Sequence, residues 1–322
     1  VTIPKRRIGR DGPEVGVLAL GSWHIYDRMP FHEAVEMVGR AVEAGVDLFD
    51  VGYYGGFSLD GKPVPESYTD VLFGRIVQAA GIARENYKIS AKLWINYFPE
   101  QNMGDQLDRL LFRVGTDYAD YAVLGDLFGT EPDMKLLTKQ LGDLVAQGKL
   151  GAWGVNNWSV DHIRAAHAAA AEQGVPGPSM AQLKYSVVRR SIPDGAPFRS
   201  LVEELGVTIQ ASDVLEGGIL AGNFKPERMI GRDPGGIREQ IADAGRGLAA
   251  IAAEFDATPA QAGIAFCLAN PTVSTVLVGC SRLTQLEQNL KAVELAETRG
   301  LELRKAVDGL WLDRDVVDPT GH

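Results

Sequence analysis

The chain has 322 residues, 45% hydrophobic and 23% charged, which excludes a disordered or collagen-like polypeptide and leaves ample apolar surface for a large core. Its formal net charge of −10 gives it no general electrostatic attraction for nucleic acid or anionic lipid. The two cysteines, Cys267 and Cys280, stand in neither a CxxC nor a Cys/His spacing, so they read as free buried thiols in a reducing compartment, with no metal site. The first residues, Val-Thr-Ile-Pro-Lys-Arg-Arg, hold no apolar signal core, and no run reaches the roughly 18 apolar residues of a membrane span. The expectation is a soluble, cytoplasmic protein with no nucleic-acid or membrane partner and an open oligomeric state.

In chain order, Arg7-Ile8-Gly9 and Val15-Gly16-Val17 flank the turn residues Asp11-Gly12-Pro13 and predict a hairpin. Eight short apolar runs follow, at Val17–Leu20, Leu48–Val51, Tyr87–Ala91, Tyr121–Leu124, Ala152–Val155, Met180–Leu183, Thr208–Ala211 and Thr275–Val278. Each is bounded by turn signals and reads as a strand covered on both faces. Amphipathic helices lie between them. Phe31–Ala44 lines up Ala34, Val35, Val38, Ala41 and Val42 and ends before Gly45; Val160–Gln173 starts after Ser159, a good N-cap; Leu283–Ala296 carries Leu283, Leu286, Leu290 and Val293 at helical spacing. Eight such units without a sequence repeat predict one α/β domain over 1–322, a (β/α)8 TIM barrel with an N-terminal β-hairpin. Gly56–Pro65 and Gly217–Gly236 are long Gly-rich loops after the second and seventh strands, at the barrel end where this fold carries its active site.

The chemistry begins with Asp50 at the end of the second strand, followed by Tyr53 and Tyr54, and Lys92 at the end of the third. A lysine at the tip of a buried strand needs a partner. Asp50 and Lys92 on neighbouring strands can form a shielded ion pair. A tyrosine beside that lysine is expected to have a lowered pKa and to act as general acid in carbonyl reduction.

These residues resemble the catalytic group of the aldo-keto reductase superfamily, in which Asp, Tyr, Lys and His end consecutive barrel strands. The likeness runs from the hairpin to the helix after the eighth strand. The resemblance matches Asp50 and Lys92 directly. It assigns the tyrosine to Tyr54, with Tyr53 next, because the residue before the family's glycine is here Tyr54-Gly55. The fourth member departs: in Asp117-Tyr118-Ala119-Asp120-Tyr121-Ala122-Val123-Leu124-Gly125, Gly125 stands where the family has its histidine. Asp126 or His24 is then a candidate replacement, or the missing ring makes room for a larger substrate, or the chemistry is weak. In one branch of the family a change at this position accompanies reduction of a conjugated C=C bond. His32, His162, His167 and His322 read as solvated surface groups.

The resemblance also implies NADP(H). Ser22 and Trp23, with His24 beside them, follow the first strand, where the family's loop lies near nicotinamide and substrate. Gly154-Val155-Asn156-Asn157 resembles the segment that holds the nicotinamide carboxamide, with Asn156 in place of serine, and Gln182 matches the glutamine after the sixth strand. Gly279-Cys280-Ser281-Arg282, with Gln285 and Asn289, resembles the adenosine-phosphate site at the start of the last helix; a helix N-terminus attracts phosphate and Arg282 adds a forked cation. After the seventh strand, Ser212-Asp213-Val214-Leu215 and Gly217 replace the family's aromatic cofactor segment, and Ser212 cannot stack. Substrate contact is expected from His24, Tyr53, Trp94, Gly125 and Asp126. The implied function is NADPH-dependent hydride transfer to a carbonyl, or to a conjugated C=C or C=N bond, of a small organic molecule. The alternative is an NADP(H)-binding barrel with little turnover, acting as a redox sensor or partner subunit.

Overall fold

The computed structural model describes residues 2–55, 58–59, 62–225 and 232–321. Parts of both long loops, and His322, lie outside these residues. A two-stranded antiparallel hairpin, Lys5–Arg7 with Glu14–Gly16, opens the chain. The barrel strands are β1 (Leu18–Leu20), β2 (Leu48–Val51), β3 (Lys88–Leu93), β4 (Ala119–Leu124), β5 (Leu150–Asn156), β6 (Met180–Lys184), β7 (Thr208–Ser212) and β8 (Val273–Val278). All neighbours pair in parallel, and β8 pairs with β1, closing the barrel. The outer helices are α1 (Phe31–Glu43), α2 (Thr69–Ala79), α3 (Met103–Val114), α4 (Met134–Ala146), α5 (Val160–Gln173), α6 (Ala196–Leu205), α7 (Arg238–Glu254), α8 (Pro259–Leu268), α9 (Leu283–Leu290) and α10 (Ala292–Ala306).

Local signals mark some of the boundaries. The Ser159 hydroxyl accepts from the His162 backbone N–H and starts α5, and Gly174, at φ 64°, ends it. The expected helix over Leu283–Ala296 is instead two, α9 and α10, meeting at Lys291. Apolar spacing continues across that junction, so periodicity alone does not reveal it.

The two-residue period of the strands divides the core in two. Phe49, Val51, Ile89, Ala91 and Leu93 face outward into the large core beneath the helices. Leu48, Tyr121, Val123 and Met180 face the lumen, where Ile8 and Val15 of the hairpin join them as a plug. The same period turns Asp50 and Lys92 inward at the opposite end. Polar side chains there sit on a lumen already filled below them.

Two minor expectations are corrected. His162 and His167 are half-buried rather than solvated: His162 bonds Ser159 and Glu131, and His167 bonds the Pro178 carbonyl. The packing of α5 against its neighbours covers them. His32 is exposed, and both cysteines are free and buried, as expected.

Candidate active site

The carboxyl ends of the strands open into one cavity of about 1200 Å³. Asp50, Tyr54 and Lys92 line one part of it; Gly279, Ser281, Arg282, Gln285 and Asn289 line another. The same cavity is also lined by Ser22, Trp23, His24, Trp94, Asp126, Asn156, Asn157, Gln182, Ser212, Val214, Leu215 and Gly217. Among the sequence-derived candidates only Tyr53 and Gly125 do not line it.

Strand register assembles the reacting end. Asp50 pairs with Ser90 and Val51 with Ala91, which sets Asp50 close to Lys92 on the next strand. The Tyr54 hydroxyl donates to Asp50 Oδ2 at 3.4 Å. Among the described residues the Lys92 ammonium hydrogen-bonds Gln182 Oε1, while Asp50 attracts it through space. The expected Asp50–Lys92 pair is thus no direct contact among the described residues: Gln182 takes the ammonium, and Asp50 acts on it only through space. Gln182 in turn donates to Gln210 Oε1 at 2.6 Å. Gln210, fully buried on β7 beside Gln182, was not singled out from the sequence; a lone glutamine in an apolar strand carries no motif. Asp50 Oδ1, Trp23 Nε1 and Gln210 Nε2 are buried without a hydrogen-bond partner among the described residues.

Burial dominates the electrostatics. It pushes the Asp50 carboxyl above the ordinary carboxylate value, against the pull of Lys92 and the bond from Tyr54. Burial also lowers the Lys92 ammonium, against Asp50 and Asp126. Burial, and then the charge of Asp50, push the Tyr54 phenol well above its ordinary value. The expected lowering by lysine does not occur, since the phenol's hydrogen-bond partner is a carboxylate and desolvation penalises the phenolate. Tyr53 is corrected as well. Its hydroxyl donates to Glu66 at 3.0 Å, away from the cavity, and burial together with Glu66 raises its pKa to about 12.

Gly125 does not open space. A Cβ there would lie 2.7 Å from Cε3 and 3.1 Å from Cζ3 of Trp94. The indole therefore occupies the place that a side chain at 125 would take. The ring is fixed by Nε1–H donation to the Tyr53 carbonyl at 2.8 Å. Gln106 Oε1 accepts from the Trp94 backbone N–H, and the Tyr54 ring meets the indole edge-on at 5.8 Å. Lumen-facing positions recur every second residue, so Trp94 follows Lys92 on the inside and meets Gly125 from the adjacent strand.

The other candidates are held as follows. His24 Nδ1 contacts Asp27 at 3.1 Å. Asn156 Nδ2 and Asn157 Nδ2 both donate to Asp126, as does Arg232 Nη1 at 3.3 Å. Ser22 shares a hydrogen bond with Thr69, and Ser212 donates to the Leu183 carbonyl. Gln285 Oε1 accepts from both Ser281 N and Oγ, and Asn289 donates to Cys280 Sγ. The exposed Arg282 guanidinium stands at the N-cap of α9 without a hydrogen-bond or ion-pair partner among the described residues.

An ion cluster beside the cavity escaped sequence reading. Lys184 bonds Asp213 at 2.6 Å and pairs with Glu216 at 3.2 Å, while Arg189 bridges Glu216 and Asp233. It ties the loop after β7 to the segment after β6. Glycine content flags that loop, but these charges lie far apart in sequence and only the fold brings them together.

A closed parallel barrel with Asp, Tyr and Lys at its carboxyl mouth, and a long cleft running to the start of a late helix, is the architecture of an aldo-keto reductase. The sequence profile described as the aldo/keto reductase family matches residues 17–300, and the chain belongs to that family. Its relatives include proteins provisionally named as voltage-gated potassium channel beta subunits. One from Schizosaccharomyces pombe is 25% identical over 335 residues, covering 95% of this chain and 92% of the relative. Those from Arabidopsis thaliana and Oryza sativa subsp. japonica are each 24% identical, covering 90% of this chain and 91% of the relative. Among the described residues no helix is long and apolar enough to cross a membrane.

Proposed function

We propose that this chain binds NADP(H) and reduces a carbonyl group of a small organic molecule, or a conjugated C=C or C=N bond. The observation that carries this reading is that Asp50, Tyr54 and Lys92 line the same cavity as Arg282 and the start of α9. The residues fit the cofactor. The cavity of about 1200 Å³ exceeds the roughly 300–1,000 Å³ of ordinary small-molecule pockets, leaving room for a dinucleotide and a substrate. Arg282, without a partner among the described residues, and the helix N-terminus suit a 2′-phosphate. Asn156, Asn157 and Gln182 suit a carboxamide, which needs both donors and acceptors.

The bound cofactor supplies hydride. The protein's part is to deliver a proton and to hold charge. The raised pKa keeps the Tyr54 phenol protonated at neutral pH, so its Oη–H is a proton source for an oxygen that gains negative charge. A substrate oxygen competes with Asp50 for that hydrogen, and the 3.4 Å bond to Asp50 is long enough to be exchanged. Lys92, buried with Asp50 and Gln182, is a positive charge that acts on the proton donor's partner. With Trp94 over Gly125 and Asp126 engaged by two amides, neither position supplies a second acid.

Fluorescence titration with NADPH and NADH tests the cofactor assignment. NADPH is expected to bind more tightly, and Arg282→Ala is expected to remove about 1.5–3 kcal/mol of that binding, the worth of a charged hydrogen bond. Equal affinity for the two nucleotides, or an unchanged Arg282→Ala, sinks it. Steady NADPH oxidation with aldehydes, ketones and enones tests turnover. The names of the relatives favour a second reading, a cofactor-binding subunit with little turnover that assembles with a channel; tight NADPH binding without oxidation across that panel supports it.

A further inference from the structure

Asp126 lies two residues past the end of β4 and is buried, yet it makes no bond to the Asp50–Tyr54 pair. Its carboxylate accepts from three directions: Asn156 Nδ2 and Asn157 Nδ2 from the end of β5, and Arg232 Nη1 from beyond β7. A carboxylate only accepts hydrogen bonds, so both amides must turn their nitrogens toward it. The orientation of each amide therefore follows from Asp126. Asn157 Oδ1 is taken up by the Lys184 backbone N–H at 3.0 Å, which locks that side chain from both ends. Asn156 Oδ1 has no partner among the described residues, and Asn156 lines the cavity.

We infer that Asp126 is a positioning residue for a carboxamide-bearing ligand: it fixes both amides so that Asn156 presents an oxygen acceptor to a ligand N–H. The inference rests on the NADP(H) reading, because nicotinamide carries such a carboxamide. It goes beyond that reading by giving a role to a residue that would otherwise pass for a substitute proton carrier. An asparagine at 126 would keep the shape but offer an NH2 group, so either neighbouring amide could turn over. The positioning would be lost with little change in volume.

The experiment compares two probes on Asp126→Asn. NADPH carries the carboxamide; adenosine 2′,5′-bisphosphate carries the adenosine and 2′-phosphate without it. The variant is expected to weaken NADPH by about tenfold, within the range of a charge-assisted hydrogen bond, and to leave the bisphosphate unchanged. Unchanged NADPH binding, or equal loss of both probes by a folded variant, overturns the inference. Where the asparagine variant unfolds, Asp126→Ser is read with the same outcomes. Wild-type protein that takes up neither probe overturns the proposed function as well, and so separates the two failures.

Discussion

Asp47 directly precedes β2 and Asp50 lies near its other end, and the same chain segment treats them in opposite ways. Asp47, at the hairpin end, accepts from Lys5 and Lys88 at 2.9 and 2.8 Å and from the Gly16 backbone N–H at 2.8 Å. Burial would raise its pKa, but the bonds from these partners outweigh it and hold the carboxyl below its ordinary value. Asp50, at the cavity end, has one oxygen without a hydrogen-bond partner among the described residues and a raised pKa. The saturated carboxylate contributes stability. The unsaturated one costs stability in the folded chain and is kept at the end of the barrel that carries chemistry.

Three measurements break or sharpen this contrast. The largest effect is expected at the cavity end, where Tyr54→Phe and Lys92→Met are each predicted to slow NADPH-dependent reduction about 100-fold or more. Rates within tenfold of wild type would remove Tyr54 as the acid. Next, Gly125→His forces a ring against Trp94 and is predicted to lower stability by about 1–3 kcal/mol in urea denaturation. Adding Trp94→Ala to that variant should restore part of the loss. Additive losses would show that the two positions do not share one space.

The smallest effect is expected at the hairpin end. Asp47→Asn is predicted to lose about 1 kcal/mol at neutral pH without loss of turnover. The sign follows from its lowered pKa: the stability from Asp47 is full above the ordinary carboxylate range and is lost as pH falls through its folded value. Wild type and variant should therefore converge in acid. Parallel stability curves down to the acid transition would contradict the assignment.

Much of the frame is legible in the sequence. Eight apolar runs separated by capped helices lead to the barrel, and the motifs around Asp50, Lys92, Gln182 and Ser281-Arg282 mark its mouth. Strand ends fall within two residues of the observed ones because apolar content and turn residues are local signals. The split between α9 and α10 is not legible, because the apolar spacing continues through Lys291.

The site was legible in its members but less so in their bonds. The sequence by itself, through strand ends and family motifs, determined most of the residues that reach the cavity, Tyr53 and Gly125 being the exceptions. Tertiary structure decided what each one touches. Gln182 rather than Asp50 takes the Lys92 ammonium, Trp94 fills the place left at Gly125, and Asp126 gathers two amides. Partners on different strands are fixed by barrel register and side-chain reach, which no local pattern encodes. The direction of the Tyr54 shift followed the same rule, because desolvation depends on everything packed around a group and not on its neighbours in sequence.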